Sequence, residues 1–302
     1  MSSILLCAAV LPVFGLCTFI YTKDKNKEPA WLLALMFGLG LLSVIPVLIC
    51  ELIFGAFFPL DSKAGFIPIF FNILFGVALY EEAFKWLVTK YMGYRSKEFD
   101  EVFDVIVYAV FVSLGFACLE NIMYVFQNGL GNAILRAILA VPGHTCFAIS
   151  MGYFFSKAKV GQISGNHKVY AKNMILSIIA PIILHTFYDT FILAASGAED
   201  SIIGLIPFIL FYVFMVVVCF LTVDKVAKVQ NNLSLNIQEG SIVKNDQGYI
   251  YYQYPTVPPT PPVATPAVET PLPPTTGPQF CPICGRQVAG ANFCPNCGLR
   301  LR

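Results

Sequence analysis

Charged residues are scarce in this chain: only 12% of its 302 residues are Asp, Glu, Lys or Arg, whereas 57% are hydrophobic. A soluble domain would have about a quarter charged residues and about half apolar ones. The shortage of charge therefore argues against a soluble globular protein. The net charge of +1 says nothing about acidic partners, and we expect no nucleic acid as a partner.

A secretory disulfide framework is also missing. Six of the ten cysteines stand singly in apolar segments, where a free thiol behaves as a small hydrophobic side chain. The N-terminal apolar run, residues 4–21, lacks a basic segment before it and a clear small-x-small cleavage site. We therefore interpret this run as a first membrane span and not as a signal peptide.

The apolar residues are concentrated in runs of roughly 18–25 residues, the length that a helix needs to cross about 30 Å of hydrocarbon. These runs predict an all-α polytopic membrane protein with about seven transmembrane helices. The predicted spans are 4–21, 31–54, 66–90, 102–126, 132–156, 173–195 and 201–224.

The loops between these spans alternate in positive charge. Loops 22–30, 91–101 and 157–172 carry several lysines or arginines, and the intervening loops carry at most one. The positive-inside rule then places the N-terminus outside and the C-terminus in the cytoplasm of a bacterial-type plasma membrane.

The composition changes after the last span, and three regions are predicted: a transmembrane domain over 1–225, a linker over 226–280, and a small terminal domain over 281–302. The linker is first polar, with a β-like run near 248–252, and then rich in Pro and Thr. Such a Pro-rich segment is typical of an extended polyproline spacer.

Two C-x-x-C pairs lie in the terminal region, Cys281 with Cys284 and Cys294 with Cys297. Two such pairs supply the four thiolates of a closed tetrahedral site, which indicates a structural zinc ribbon. A redox dithiol or an iron site is the competing interpretation. A metal site with no open position is typical of a docking or regulatory module, so we expect a cytosolic protein partner.

Ionisable residues occur inside the predicted spans, where each costs at least about 2.5–3.5 kcal/mol on insertion scales and is by default a functional hypothesis. The third span contains Glu81, Glu82 and Lys85, and the lysine is three and four residues from the two carboxyl groups. Two adjacent carboxylates in low dielectric resist being ionised together. One of them should hold a proton near neutral pH and serve as a base.

Further polar groups occur on the next three spans. Glu120 lies on the fourth, His144 follows Pro142 and Gly143 on the fifth, and His185 and Asp189 are four residues apart on the sixth. Their similar depth predicts one cluster if spans three to six pack together. Two other charges, Glu51 and Arg136, lie near the outer ends of their spans and are expected to snorkel.

The order of these motifs resembles the PrsW family of intramembrane proteases, relatives of the CAAX-prenyl protease and bacteriocin-immunity membrane peptidases. The motifs are Glu-Glu-x-x-Lys, Phe-x-x-x-Glu-Asn beginning at Phe116, a lone His, and His-x-x-x-Asp. The resemblance covers roughly residues 1–225. It implies a membrane-embedded endopeptidase that cleaves membrane-anchored proteins, as the founding type does in the regulated proteolysis of an anti-sigma factor. The implied catalytic residues are Glu81, Glu82, Lys85, Glu120, His144, His185 and Asp189.

Two mechanisms suit these residues. In one, Glu81 or Glu82 activates a water molecule while a histidine polarises the scissile carbonyl. In the other, His144, His185 and Glu120 hold a catalytic zinc, although no His-Glu-x-x-His motif is present. Two other functions fit the same residues: a proton-coupled transporter or channel that uses the buried charges, and a membrane scaffold that acts through the zinc ribbon.

Overall fold

The computed structural model describes residues 2–61, 63–99, 101–163, 165–197, 201–232, 240–244, 250–254 and 288. The chain divides into two compact units, 1–256 and 257–302. All described residues except Val288 belong to the first unit. The Pro-rich part of the linker and the four cysteines of the predicted zinc ribbon lie outside the described residues.

The first unit is built almost entirely of helices. The elements in chain order are α1 (Ser2–Lys23), α2 (Ala30–Leu42), α3 (Val44–Phe57), α4 (Phe66–Ile73), a π-helical turn (Leu74–Ala78), α5 (Leu79–Val88), a second π-helical turn (Thr89–Gly93), α6 (Asp104–Ile138), α7 (Ala140–Ile163), α8 (His167–Gly197), α9 (Ser201–Asn232), β1 (Gly240–Lys244) and β2 (Ile250–Tyr254).

Six helical segments among the described residues are long and apolar enough to cross a membrane. Five of them have 21 to 29 residues, but the fourth, Asp104–Gln162, has 59. A straight helix of that length would extend over ~90 Å, three times the thickness of the hydrocarbon layer. This segment must therefore turn back on itself.

The turn lies at Gly129, whose φ of +78° and ψ of −168° are non-helical. A residue with a side chain is strained at such a φ, and glycine is not. On either side of the turn the helices pack antiparallel: the Ser113 hydroxyl donates to the carbonyl of His144 at 2.9 Å, and the Ser156 hydroxyl donates to the carbonyl of Val102. The described residues thus pass through the bundle seven times, and the prediction of an all-α polytopic membrane protein is confirmed.

The β-strands form a small antiparallel hairpin, in which Gly240 pairs with Tyr254 and Lys244 with Ile250. The β-like run predicted near 248–252 overlaps the second strand. The hairpin follows α9 in the chain, and none of the predicted site residues lies on it.

Helix α2 approaches α6 closely enough to require glycine at two positions. A Cβ atom at Gly40 would lie 2.0 Å from the carbonyl oxygen of Val112, and one at Gly115 would lie 2.0 Å from that of Phe37. This contact fixes the first half of α6 against the N-terminal helices. The face of α6 that carries Phe116 and Glu120 is thereby held in position.

Candidate active site

Lys85 is the centre of the buried polar cluster. Its ammonium group donates hydrogen bonds to Glu81 at 2.9 Å and to Glu82 at 2.8 Å, both within α5. It also lies 3.2 Å from Nδ1 of His144 on α7. The spacing of three and four residues on one helix brings the two carboxylates to the same lysine. From the spacing in the sequence Lys85 could reach either glutamate, and in the structure it contacts both.

His144 extends the cluster from α5 to α6. Its Nε2 lies 2.8 Å from a carboxylate oxygen of Glu120, and the guanidinium of Arg136 lies 2.8 Å from the same oxygen. Arg136 also donates to the side-chain oxygen of Asn121 at 2.6 Å. Since α6 and the start of α7 turn back at Gly129, residues 15 or more positions apart meet here.

His185 joins the cluster from α8. Its Nδ1 lies 3.0 Å from Glu82, and its Nε2 lies 3.3 Å from Asp189 on the next turn of the same helix. Both ring nitrogens therefore face carboxylate oxygens. The ring of Phe147 stacks on the imidazole with centroids 4.6 Å apart, which restrains its orientation.

Exposure increases steadily across the cluster. The side chains of Glu82 and Lys85 are 0% and 1% exposed, that of Glu81 is 7%, that of Glu120 is 16%, and that of Asp189 is 26%. The buried end of the cluster is lined by the apolar side chain of Phe116, whose ring centroid lies 4.2 Å from the Lys85 nitrogen. The site is therefore closed at Glu82 and opens toward Glu120 and Asp189.

All seven predicted site residues belong to this one network. The three that could hold a metal ion together are Glu81, Glu82 and His144, whose ligand atoms lie within 4.8 Å of one another. The set predicted from the sequence was His144, His185 and Glu120. In the structure His185 is instead engaged by Glu82 and Asp189, and the Nε2 atom of His144 faces Glu120.

Two residues expected to snorkel are found at the site. Arg136 pairs with Glu120, and one carboxylate oxygen of Glu51 is buried with no hydrogen-bond partner among the described residues. The position of a residue along its own span gives its distance from the membrane surface, but it does not show which neighbouring helix its side chain faces. The sequence therefore did not predict that Glu51 and Arg136 turn inward. A charged residue in an apolar helix is rare, and this alone would have marked Glu51 and Arg136 as candidate site residues.

Comparison with known proteins gives one family. The sequence model of the PrsW family, described as an intramembrane metalloprotease family, matches residues 28–222. This range begins just before α2 and ends within α9, so it contains every residue of the network.

Several proteins named Protease PrsW are similar to the chain. That of Oceanobacillus iheyensis is 38% identical over 77% of this chain and 99% of its own length. That of Geobacillus kaustophilus is 37% identical over 63% of this chain and 80% of its own. That of Bacillus subtilis is 32% identical over 68% of this chain and 88% of its own. No protein of solved structure is detectably similar.

Proposed function

The chain belongs to the PrsW family of intramembrane proteases, and from this premise we propose that it hydrolyses its membrane-anchored substrates with water activated by Glu81. The observation that carries the proposal is the contact of Lys85 with Glu81, Glu82 and His144. The ammonium group of Lys85 thus holds Glu81, Glu82 and His144 in fixed positions relative to one another. A peptidase needs such a fixed constellation, because misplacement of a reacting group by about 1 Å costs roughly a hundredfold in rate.

Glu81 is the better candidate for the general base, since its side chain is 7% exposed and that of Glu82 is fully buried. Glu81 would take a proton from water, and the resulting hydroxide would attack the scissile carbonyl carbon. The same proton would then pass to the departing amine when the C–N bond breaks. Glu82, held between Lys85 and His185, fits a role in positioning both donors.

Charge that develops on the carbonyl oxygen needs donors that are already in place. Lys85 and His185, which both contact Glu82, would supply these donors. In a site closed to water, fixed donors of this kind stabilise an oxyanion far better than they would in bulk solvent.

The donor set also fits a divalent metal ion such as zinc. Glu81, Glu82 and His144 would hold it in place of the Lys85 ammonium group, which contacts the same three side chains, and Glu81 would then be a ligand and not the base. The second oxygen of Glu82 is buried with no partner in the described part of the chain. The carboxyl groups at the site outnumber the permanent cations. Among the described site residues there are five carboxyl groups, from Glu51, Glu81, Glu82, Glu120 and Asp189, and two permanent cations, Lys85 and Arg136. This excess of negative charge also favours the binding of a cation. When bound, the ion would activate water and polarise the scissile carbonyl.

The substrate class follows by analogy with the family: a single-span regulator such as an anti-sigma factor, cut near the bilayer. We propose the orientation given by the loop charges, with the C-terminus in the cytoplasm, where thiols stay reduced. The four terminal cysteines would then bind a structural zinc and present a docking module to a cytosolic protein.

The experiment uses the full chain in proteoliposomes with a panel of single-span reporters that carry a different tag at each end. The wild type should separate the two tags of at least one reporter. Glu81→Gln should reduce kcat by about 100-fold or more, as expected for loss of a general base.

The control is Glu98→Gln, which changes an exposed loop carboxylate and should cleave like the wild type. If Glu81→Gln cleaves as fast as Glu98→Gln, Glu81 is not the base. If the wild type cleaves no reporter, the proposal for this class of substrates fails.

A further inference from the structure

Glu51 lies on α3, a helix that carries none of the four motifs. It follows Val44 and Val47 at spacings of seven and four residues, so the three side chains share one face of the helix. Val44 and Val47 are buried against Phe116, beneath the Lys85 ammonium group. Glu51 is therefore one turn further along the face that α3 turns toward the site.

The carboxyl group of Glu51 interacts electrostatically with ionisable residues of the site. It lies within electrostatic range of the ionisable residues on α5, α6 and α8, namely Glu81, Lys85, Glu120 and His185. One of its oxygens, Oε1, is buried and has no hydrogen-bond partner among the described residues. A buried acceptor without a donor destabilises the folded protein, so its retention needs an explanation.

An unwound substrate backbone offers donors of the kind that Glu51 lacks. A transmembrane helix must unwind locally before a peptidase can reach its backbone, and the unwinding leaves N–H groups without partners in a medium that has no water to satisfy them. A carboxylate oxygen accepts hydrogen bonds and is therefore the group that an unwound N–H needs. Glu51 also lies on α3, apart from the helices that carry Glu81, Glu120, His144 and His185.

We propose that Glu51 is a substrate-binding residue whose free oxygen accepts a hydrogen bond from the unwound backbone of the substrate next to the scissile bond. This inference rests on the proposed function. It adds to that function a contact on α3, which makes α3 one wall of the substrate groove.

The test uses the reporter that the wild type cleaves, and it separates KM from kcat in proteoliposomes. Glu51→Leu removes the acceptor and should raise KM about tenfold with little change in kcat, as expected for the loss of one hydrogen bond to the substrate. Glu51→Gln keeps a carbonyl oxygen at the same position and should stay within about threefold of the wild-type KM. Leu52→Ala, a change on the exposed face of α3, is the matched control and should have no effect on KM.

The other outcomes overturn the inference. If Glu51→Gln loses kcat as severely as Glu51→Leu, the residue transfers a proton or binds a metal ion. If neither variant changes KM, Glu51 does not contact the substrate.

A second measurement needs no cleavage. Removal of an uncompensated buried carboxyl should leave the melting temperature of Glu51→Leu at or above that of the wild type. A marked fall in melting temperature would instead assign Glu51 a structural role. Failure of wild-type cleavage overturns the proposed function itself, whereas unchanged KM values in an active enzyme overturn only the role of Glu51.

Discussion

The Lys85 nitrogen lies 3.2 Å from Nδ1 of His144, and this contact favours one tautomer of the neutral imidazole. An ammonium group only donates, so Nδ1 must accept and the ring proton of the neutral histidine belongs on Nε2. That proton points to Glu120, 2.8 Å away. The lysine of α5 thereby orients a histidine on α7 and, through it, a carboxylate on α6.

Removal of the Lys85 charge should destabilise the bundle. Lys85→Met leaves two buried carboxylates without their cation, and loss of one partner of a buried pair costs about 3–5 kcal/mol. Lys63→Met, a change in an exposed loop, should be neutral. The measurement is the free energy of unfolding in mixed micelles.

A double variant separates charge from packing at the same position. If the loss in Lys85→Met comes from uncompensated charge, Glu82→Gln in the same chain should recover part of it, because one of the stranded carboxylates is then neutral. Equal or greater loss in the double variant would show that the lysine acts through packing alone.

Arg136 should be sensitive even to replacement by lysine. Its guanidinium reaches both Glu120 and Asn121, and a single ammonium group cannot reproduce that planar fork. Loss of one charge-assisted bond, about 1.5–3 kcal/mol, should lower kcat by about 10- to 100-fold if Glu120 orients His144 in the transition state. Arg95→Lys, at an exposed position, is the control, and equal kcat values in the two variants would argue against this role.

The close approach of α2 to α6 can be tested with two glycines of one helix. Gly40→Ala would place a methyl group 2.0 Å from a backbone oxygen, whereas Gly38 has nothing within 4 Å of its Cβ position. Overpacking should cost Gly40→Ala about 1–3 kcal/mol, and Gly38→Ala should be neutral or slightly stabilising because alanine favours helix. Thermal unfolding of the two variants measures the difference, and similar melting temperatures would contradict so close a contact between the two helices.

Metal content should separate the two proposed zinc sites. If the bundle holds a zinc ion, the wild type should contain two zinc ions per chain. A variant with Cys281→Ser, Cys284→Ser, Cys294→Ser and Cys297→Ser should then retain the one in the bundle. Addition of Glu81→Gln and His144→Ala to that variant should remove it, because two of three donors are lost.

Elemental analysis of detergent-purified protein gives these numbers. If one zinc ion remains after the last change, it is bound by other residues. The set His144, His185 and Glu120 is then excluded too, because the variant lacks His144. A chain whose only zinc depends on the four cysteines would favour the metal-free mechanism.

The sequence alone determined the class of protein and singled out the residues that form the buried polar cluster. Runs of apolar residues long enough to cross a bilayer predict the helices, because backbone groups in hydrocarbon must be satisfied within one segment. The cost of charge in those helices singled out Glu81, Glu82, Lys85, Glu120, His144, His185 and Asp189, and the order of the motifs indicated the family.

Only the tertiary structure decided which of these groups touch. Contacts such as Lys85 with His144, Arg136 with Glu120, and the approach of Glu51 to the site depend on helix rotation and on the turn at Gly129. Neither is encoded in the depth of a residue along its own span. Side chains from separate helices meet according to how the helix faces pack, and that packing is a property of the whole bundle.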